Sequence, residues 1–600
     1  MYLIPQILLL LQVVLATSPT NDYAPGSVSC PGGSLTRAAT GINTQEENYI
    51  TNRNPITKSA LGTFLSNAGL TDFDVSSFLS QAQPSIGLAF SGGGYRAMLT
   101  GAGELAALDS RTWSKDKTLA GILQASSYIT GLSGGSWLVG SVASNDNLSI
   151  DQILADGNLW NIQSILDYYG INVIGDTVMW SHIADQVNDK SNAGFETSIT
   201  DPWGRALSYQ LLTNFDDKGD AVLWSDITSS SAFSTFQMPF PILVADGRAP
   251  GTSIINLNST VFELTPYELG SWDPSLKSFV QTKYLGTTLD NGQATGQCYN
   301  GYDNAGFFMG TSSSLFNEAL LSLNQSGLPS FITDLINKYV VDPIENSNVD
   351  VADYNPNPFY KSTNQDTTIS KASVLNLVDG GEDGQNIPIV PLLNRNVDVI
   401  FAHDNSDNIN SWPDGSSLIN TFERQFVQQG ENVAFPYVPD QKTFRNLNLT
   451  SKPVFFGCDA QNLTSLTDDI YDVPLVIYLP NRPFTYWSNT STFKLDYSDT
   501  ERNGMIQNGY EISTRKNGTL DSEWAACVGC AIIRREQERL GQSQTPQCQQ
   551  CFTNYCWDGT IYEGADLGDN YSDDGLTKSA TYYNSKNVAG FDDGATNLFK

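Results

Sequence analysis

Short apolar runs that end in glycine turns alternate with helix-forming segments in the first quarter of the chain. Ile86–Phe90 is a continuous apolar run, which predicts a buried strand, and Ala97–Leu108 is rich in helix formers. The pattern then repeats, with a predicted strand at Ala125–Thr130 and a predicted helix at Trp137–Ala143. Strands that alternate with helices in this way predict an α/β fold.

Two further apolar runs extend the predicted sheet much later in the chain. Val374–Val378 predicts a third strand, which leads directly into Asp379, and Val397–Ala402 predicts a fourth. Between about 150 and 370 the chain is rich in Asn, Ser, Asp and Gly. We interpret this stretch as insertions and a lid over the site, within one catalytic domain that spans residues 17–600.

The first sixteen residues have the composition of a signal peptide. Leu3 to Ala16 is apolar apart from two glutamines, and Val14-Leu15-Ala16 fits a cleavage site, so we expect a mature start near Thr17. A retained anchor is the alternative. No later run of about 18 apolar residues predicts a membrane span, and the last residues lack the apolar tail of a glycolipid anchor signal.

Charge, sequons and cysteines all favour an exported protein. The net charge of −32 disfavours a nucleic-acid partner and suits solubility outside the cell, while the oligomeric state stays open. Eight Asn-x-Ser/Thr sequons predict a glycoprotein. They lie at Asn147, Asn258, Asn324, Asn448, Asn462, Asn489, Asn517 and Asn570.

The even number of cysteines predicts disulfides. The eight are Cys30, Cys298, Cys458, Cys527, Cys530, Cys548, Cys551 and Cys556. Five of them form a C-x2-C…C-x2-C cluster at 527–556, a spacing that also fits a zinc site. Export favours disulfides, although spacing alone does not determine which cysteines pair.

A G-x-S-x-G motif, Gly131-Leu132-Ser133-Gly134-Gly135, lies between the second predicted strand and its helix. A serine on such a strained turn projects its Oγ at the carboxyl end of the strand, and the following helix directs N–H groups toward developing negative charge. We therefore predict that Ser133 is a nucleophile. An ordinary glycine turn is the alternative.

Three consecutive glycines follow the first predicted strand, in Ser91-Gly92-Gly93-Gly94-Tyr95-Arg96. Successive glycine N–H groups suit an oxyanion hole. A nucleotide phosphate loop is excluded because no Gly-Lys-Ser/Thr follows. Arg96 is placed to bind a phosphate in a bidentate manner, with a structural ion pair as the alternative.

The chain has only two histidines, which limits the choice of a general base. His182 falls in the predicted lid and His403 follows an apolar strand. A Ser-His-Asp triad would need one of them, whereas a Ser–Asp dyad would use a carboxylate whose pKa is raised by burial. Asp379, at a strand end and before two glycines, is the best such carboxylate. The segment is not a calcium loop, since Val390 stands where a bidentate Glu is required.

These motifs together resemble the signature blocks of secreted fungal phospholipase B, also called lysophospholipase. The blocks are Ser91–Met98, Gly131–Gly135 and Val378–Gly381, and Thr265–Gly270 and Phe308–Thr311 are also similar. The same blocks resemble the catalytic domain of cytosolic phospholipase A2 and, more distantly, patatins. The resemblance implies a three-layer α/β fold with a mostly parallel central sheet flanked by helices, and it covers nearly the whole mature chain.

The resemblance also implies roles for individual residues. Ser133 would be the nucleophile and Asp379 its base, Gly93 and Gly94 would donate to the oxyanion with Gly134 as a third donor, and Arg96 would hold the phosphate. The implied reaction removes acyl chains from phospholipids and lysophospholipids, with acyl transfer as a side activity, and uses no metal or organic cofactor. A histidine-based esterase and a non-catalytic wall glycoprotein remain as alternatives.

Overall fold

The structure is a computed structural model that describes residues 17–112, 118–162, 173–315, 351–363 and 367–565. The predicted signal peptide, residues 1–16, lies outside the described residues, as do the sequons at Asn324 and Asn570. No helix of the described part is both long enough and apolar enough to cross a membrane.

Most strands of the described chain join one large mixed sheet. In chain order the strands are β1 (Gly26–Val28), β2 (Thr36–Ala38), β3 (Ile86–Phe90), β4 (Tyr128–Gly131), β5 (Phe240–Arg248), β6 (Thr260–Leu264), β7 (Glu268–Ser271), β8 (Ser278–Gln281), β9 (Leu289–Asp290), β10 (Gln293–Ala294), β11 (Cys298–Asn300), β12 (Ala352–Tyr354), β13 (Leu375–Asp379), β14 (Val399–Asp404), β15 (Val454–Phe456) and β16 (Leu475–Pro480). The large sheet has the order β15-β16-β14-β3-β4-β5-β6-β7-β8-β2, and β13 joins it beside β5 with β12 outside.

The predicted α/β class is confirmed, but the sheet is mixed rather than mostly parallel. Parallel pairing is confined to the run from β16 through β14, β3 and β4 to β5, and these strands are buried apolar segments, as two-sided coverage requires. From β6 onward the strands are joined as antiparallel neighbours. Short connections between successive strands explain the antiparallel part of the sheet, because parallel neighbours need a long crossover connection.

One edge of β5 carries two strands that run toward each other. Residues 240–243 of β5 pair in parallel with β4, and residues 245–248 pair antiparallel with β13. Since β6 occupies the other edge of β5 at 243–247, both β4 and β13 must lie along the same edge. Gly131, the last residue of β4, faces Leu243, and Asp379, the last residue of β13, faces Ala245. The carboxyl ends of the two strands are therefore separated by about 7 Å, two residues of strand rise.

The stretch from 150 to 370 contributes to the core, contrary to its interpretation as insertions and a lid. It contains β5 to β8 and β12, all in the central sheet. Its sequence looked irregular because β6, β7 and β8 are only four or five residues long and are separated by polar turns. The lid role of the remainder stays a prediction.

Helices flank the sheet, as predicted. They are α1 (Thr44–Asn67), α2 (Val75–Gln81), α3 (Gly94–Leu108), α4 (Ile122–Ala125), α5 (Gly134–Ser144), α6 (Ile150–Asp156), α7 (Val173–Asn192), α8 (Thr200–Leu211), α9 (Ser231–Ser234), α10 (Ala305–Thr311), α11 (Thr368–Lys371), α12 (Val390–Leu393), α13 (Ser416–Arg424), α14 (Gln441–Asn446), α15 (Asp499–Thr514), α16 (Trp524–Arg539) and α17 (Pro546–Tyr555). Both α3 and α5, which follow the first two parallel strands, are buried along their whole length. This burial arises because α5 packs against β3, β4 and β5, and α15 packs over α3.

Helices α3 and α15 cross with their backbones in direct contact. A Cβ on Gly103 would lie 1.8 Å from the carbonyl oxygen of Ile506, and a Cβ on Gly509 would lie 1.9 Å from the carbonyl oxygen of Thr100. Glycine is therefore required on both helices for this approach. The crossing fixes the position of α3, whose first residue is Gly94.

Four disulfides join all eight cysteines, so the disulfide prediction is confirmed. Two of them connect α16 to α17, and the pairs are Cys30–Cys298, Cys458–Cys556, Cys527–Cys551 and Cys530–Cys548. The described residues contain no group of three His, Cys, Asp or Glu side chains that could hold a metal ion.

The α3–α15 crossing predicts a large effect of Gly103→Ala. The added methyl group would meet backbone atoms that cannot move aside, so we expect a loss of at least about 3 kcal/mol in the free energy of unfolding, measured by denaturant melts. Gly41→Ala is the matched control, because a Cβ there meets nothing within 4 Å, and its effect should stay within about 1 kcal/mol. Equal effects of the two substitutions would contradict this account of the crossing.

Candidate active site

Ser133 sits on a strained turn between β4 and α5. Its backbone has φ 49° and ψ −123°, a conformation that side-chain-bearing residues rarely adopt. Strain of this kind concentrates at functional positions, and here it turns the chain from the strand into the helix within two residues. Ser133 is buried, with only 3% of its surface exposed.

The first turns of α3 and α5 meet beside Ser133. A Cβ on Gly134 would lie 2.0 Å from the carbonyl oxygen of Gly94, so the two helix starts are in contact. Among the described residues, no acceptor pairs with the backbone N–H of Gly93, Gly94 or Gly134. Both helices direct their positive ends to this point. The arrangement provides unpaired donors where a developing oxyanion would need them.

Gly93 adopts a conformation available only to glycine. Its φ is 137°, and a Cβ there would lie 2.3 Å from Nη2 of Arg96 and 2.8 Å from the carbonyl oxygen of Asn405. The neighbouring Gly92 differs, because its N–H already donates to the carbonyl oxygen of Asn386. Within the triple glycine, Gly92 therefore anchors the loop. The N–H groups of Gly93 and Gly94 have no acceptor among the described residues.

Asp379 is buried at the end of β13, and burial raises its pKa to about 6. The Ser133 side chain and the Gly381 N–H, which donates to Oδ1 at 2.9 Å, lower that pKa and so partly offset the effect of burial. Ser133 is close enough to influence the pKa of Asp379, but within the described part of the chain Oδ2 has no partner that meets the usual hydrogen-bond geometry. An unpaired, buried carboxylate oxygen with a raised pKa beside a serine is suited to accept a proton.

Ser312, just after α10, joins the turns that carry Ser133 and Asp379. Its carbonyl oxygen accepts hydrogen bonds from the N–H of Ser133 at 2.9 Å and the N–H of Gly380 at 3.4 Å. Its hydroxyl donates to the carbonyl oxygen of Val244 on β5 at 2.5 Å. Sequence reasoning missed this residue, although it directly follows the similar stretch Phe308–Thr311.

Two buried acidic side chains, those of Asp246 and Asp383, support the loop that follows Asp379. The N–H of Asp383 donates to Oδ2 of Asp246 at 3.0 Å. Burial raises the pKa of both carboxyl groups, repulsion from Asp383 raises that of Asp246 further, and Arg424 opposes both shifts. Asn386, at the end of the loop, donates to the Gly92 carbonyl oxygen at 3.2 Å and so joins this loop to the triple glycine. A single sequence does not reveal such pairings.

Arg96 is fully buried against the triple-glycine loop and binds protein groups. Nε donates to the carbonyl oxygen of Asn405 at 3.0 Å, Nη1 donates to that of Thr490 at 2.6 Å, and Nη2 donates to Oγ1 of Thr492 at 3.0 Å. Nη1 also lies 3.4 Å from Asp407. The structural ion pair is thus present, one Nη2 N–H has no hydrogen-bond partner among the described residues, and the phosphate-binding role stays a prediction.

Both histidines make their contacts away from Ser133. His403 is buried and stacks on Phe90 with ring centroids 4.5 Å apart, while Glu104 lies 3.4 Å from its Nδ1. The exposed His182 pairs with the hydroxyl of Tyr209 at 3.1 Å. No hydrogen bond or ion pair links either ring to Ser133.

The six described sequons differ in exposure. Asn258, Asn448 and Asn462 are exposed, and Asn489 and Asn517 are half-buried. Asn147 is an exception that corrects the sequence prediction, because its side chain is 6% exposed and lies within hydrogen-bond distance of the Gln237 carbonyl oxygen. A glycan at Asn147 does not fit this packing.

The chain is an α/β protein in which Ser133 and Asp379 lie at the carboxyl ends of β4 and β13 in a mixed sheet. A family profile described as lysophospholipase catalytic domain matches residues 86–562. Lysophospholipase 1 of Candida albicans is 67% identical over 99% of this chain and 98% of its own length. Lysophospholipase 3 of Saccharomyces cerevisiae is 50% identical over 91% of this chain and 82% of its own. The chain therefore belongs to the lysophospholipase catalytic-domain family and is a hydrolase that acts on ester bonds.

A solved structure supports the fold independently. Human GIVD cytosolic phospholipase A2 matches with a TM-score of 0.57 at 16% identity, over 88% of this chain and 69% of that chain. At this identity the similarity concerns the fold alone, and it confirms the predicted α/β class.

Burial of Asp379 predicts that Asp379→Asn stabilises the protein at neutral pH. The folded protein retains a proton on Asp379 that the unfolded chain releases between pH 3.8 and about 6, so the wild type loses stability as pH rises through this window. At pH 7 the amide should raise the free energy of unfolding by up to about 3 kcal/mol. The gain should disappear below pH 4 in denaturant melts. Asp74→Asn, at an exposed cap, should give no gain, and a destabilised Asp379→Asn variant would contradict the electrostatic argument.

Proposed function

We propose that this chain is a secreted phospholipase B and lysophospholipase that removes acyl chains through an acyl-Ser133 intermediate, with Asp379 as its base. The observation that carries the proposal is the buried, unpaired Oδ2 of Asp379 beside the strained Ser133. Family membership supports the ester-hydrolase class, and the relatives are lysophospholipases by name. The four disulfides support export, since such bonds persist in oxidising compartments.

In the first half-reaction, Oγ of Ser133 attacks the ester carbonyl carbon while its proton passes to Asp379. The N–H groups of Gly93, Gly94 and Gly134 stabilise the oxyanion of the tetrahedral intermediate. When that intermediate collapses, the bond to the glycerol oxygen breaks, and Asp379 returns the proton to the leaving alcohol. The products are an acyl ester on Ser133 and a deacylated lipid.

In the second half-reaction, water attacks the acyl ester and loses its proton to Asp379. Collapse releases a fatty acid, and the proton returns to Oγ of Ser133. A hydroxyl of a second lysophospholipid can replace water in this step, which gives acyl transfer by the same route. A base with a pKa near 6 is deprotonated at neutral pH and is still basic enough to accept the serine proton.

Arg96 is proposed to contact the lipid phosphate through the Nη2 N–H that has no protein partner. Its guanidinium lies against Gly93, so a phosphate bound there would be adjacent to the oxyanion donors. Burial lowers the pKa of Arg96, and an anion would compensate for the cost of burying its charge.

Turnover of lysophosphatidylcholine tests the dyad. Ser133→Ala and Asp379→Asn should each reduce kcat about a thousandfold or more, because each removes an obligatory group. In the wild type, kcat/KM should rise through an apparent pKa of about 6 as Asp379 loses its proton, and it should fall about tenfold per pH unit below that value.

His182→Ala is the control for this experiment, since His182 is exposed and should be dispensable. Wild-type rates in Ser133→Ala would refute the nucleophile assignment. Wild-type rates in Asp379→Asn, or a large loss in His182→Ala, would favour a different base.

Selectivity for phosphate tests Arg96 separately from its structural role. Arg96→Lys should lower the ratio of kcat/KM for lysophosphatidylcholine over that for a monoacylglycerol with the same acyl chain by about tenfold, because lysine cannot reproduce the geometry of a guanidinium. Arg53→Lys is the matched control, a buried arginine that binds backbone carbonyls and should leave the ratio unchanged. An unchanged ratio in Arg96→Lys would mean that Arg96 serves the fold alone.

A further inference from the structure

A cavity of about 580 Å³ lies in the C-terminal part of the protein, outside the active site. It is formed where the chain around the disulfide Cys458–Cys556 meets the end of α17, and none of the catalytic residues lines it. Its volume is within the range of about 300–1,000 Å³ that is typical of ligand pockets. The proposed function assigns no role to this cavity.

The walls combine aromatic faces with a polar rim. Tyr437, Phe552 and Trp557 provide the apolar surface, and Asp459, Arg534 and Asp558 provide the charges. Tyr437 is 37% exposed, and Phe552 and Trp557 are half-buried, so part of each ring surface stays exposed. Apolar faces beside closely spaced hydrogen-bonding groups suit an amphipathic ring, such as a sugar, better than an acyl chain. An acyl chain would leave the charged rim without compensation for lost water.

One wall residue is itself a predicted glycosylation site. Asn462, in the sequon Asn462-Leu463-Thr464, lines the cavity and is exposed, while Leu463 beside it is buried. No described residue makes a hydrogen bond with the side-chain amide of Asn462, although its backbone N–H donates to the Asp459 carbonyl oxygen at 3.1 Å. Nδ2 of Asn462, the atom to which a glycan is attached, therefore has no hydrogen bond to a described residue. It lies at the edge of a cavity whose lining suits a sugar.

We propose that this cavity holds the innermost N-acetylglucosamine units of a glycan attached to Asn462. Attachment forms a bond between Nδ2 and C1 of the first sugar as the bond from C1 to the pyrophosphate of a lipid-linked oligosaccharide donor breaks, and Nδ2 loses one proton. The sugar rings then stack on Trp557 and Phe552, and their hydroxyl and acetamide groups bind the polar rim. Tethering raises the local concentration of the sugar, so weak contacts are sufficient.

The position of the cavity gives the glycan a structural role. The wall residues Asp459 and Asn462 belong to the segment around Ala460–Leu463, whereas Phe552 and Trp557 belong to the last described part of the chain. A glycan seated between them would reinforce the connection that Cys458–Cys556 already makes and would cover that half-buried disulfide.

Protection of the glycan from an endoglycosidase tests the proposal on the full chain secreted from yeast. Site-resolved mass spectrometry of the folded protein should show release of the Asn462 glycan about tenfold more slowly than that of Asn448, which corresponds to about 1.4 kcal/mol of contact free energy. Asn448 is the matched control, since it is equally exposed but does not line the cavity. Trp557→Leu should abolish the difference, whereas Trp557→Tyr, which retains an aromatic ring, should preserve most of it.

Phe426→Leu, at an exposed aromatic side chain outside the cavity, should leave protection unchanged. An unoccupied Asn462, or equal release rates at Asn462 and Asn448 in the wild type, would overturn the proposal. If Trp557→Leu is not secreted, the wild-type comparison and Trp557→Tyr decide the question. None of these measurements uses lipid turnover, so they are independent of the proposed hydrolase function.

Discussion

The active site depends on how β5 shares one of its edges. Residues 240–243 pair with β4 and residues 245–248 pair with β13, and these two strands approach each other from opposite directions. Their carboxyl ends must therefore meet, which brings Ser133 and Asp379 together although 245 residues separate them in the chain (379 − 133 − 1). Ser312 then joins the two turns, because its carbonyl oxygen accepts a hydrogen bond from each of them.

Burial of Asp379 raises its pKa and also makes its charged form less favourable. Asp379 has a pKa of about 6 because it lies at the end of a buried strand with only two groups to offset the loss of water. The same burial that would make Asp379 useful as the proposed base makes its charged form unfavourable at neutral pH, which is a common trade between activity and stability. The positive ends of α3 and α5 beside Ser133 favour the negative charge that develops in the reaction.

Close backbone packing keeps those helix ends in place. Gly103 and Gly509 let α15 lie directly on α3, and the contact between Gly94 and Gly134 sets the start of α3 against the start of α5. Arg96 adds a buried connection from α3 to the chain around Asn405 and Thr490. The proposed oxyanion donors are therefore placed at the starts of packed helices.

The sequence by itself determined the local elements and the chemistry they carry. The G-x-S-x-G turn, the triple glycine, the strand that ends at Asp379 and the scarcity of histidine are local properties, and each is reflected in the structure. Tertiary structure alone decided that β5 to β8 belong to the central sheet, that Ser312 joins the turns of Ser133 and Asp379, that Asn147 is buried and that Arg96 already has protein partners. These features depend on contacts between residues that are far apart in the chain, and the hydrophobic pattern of a segment does not record which distant segment it will meet.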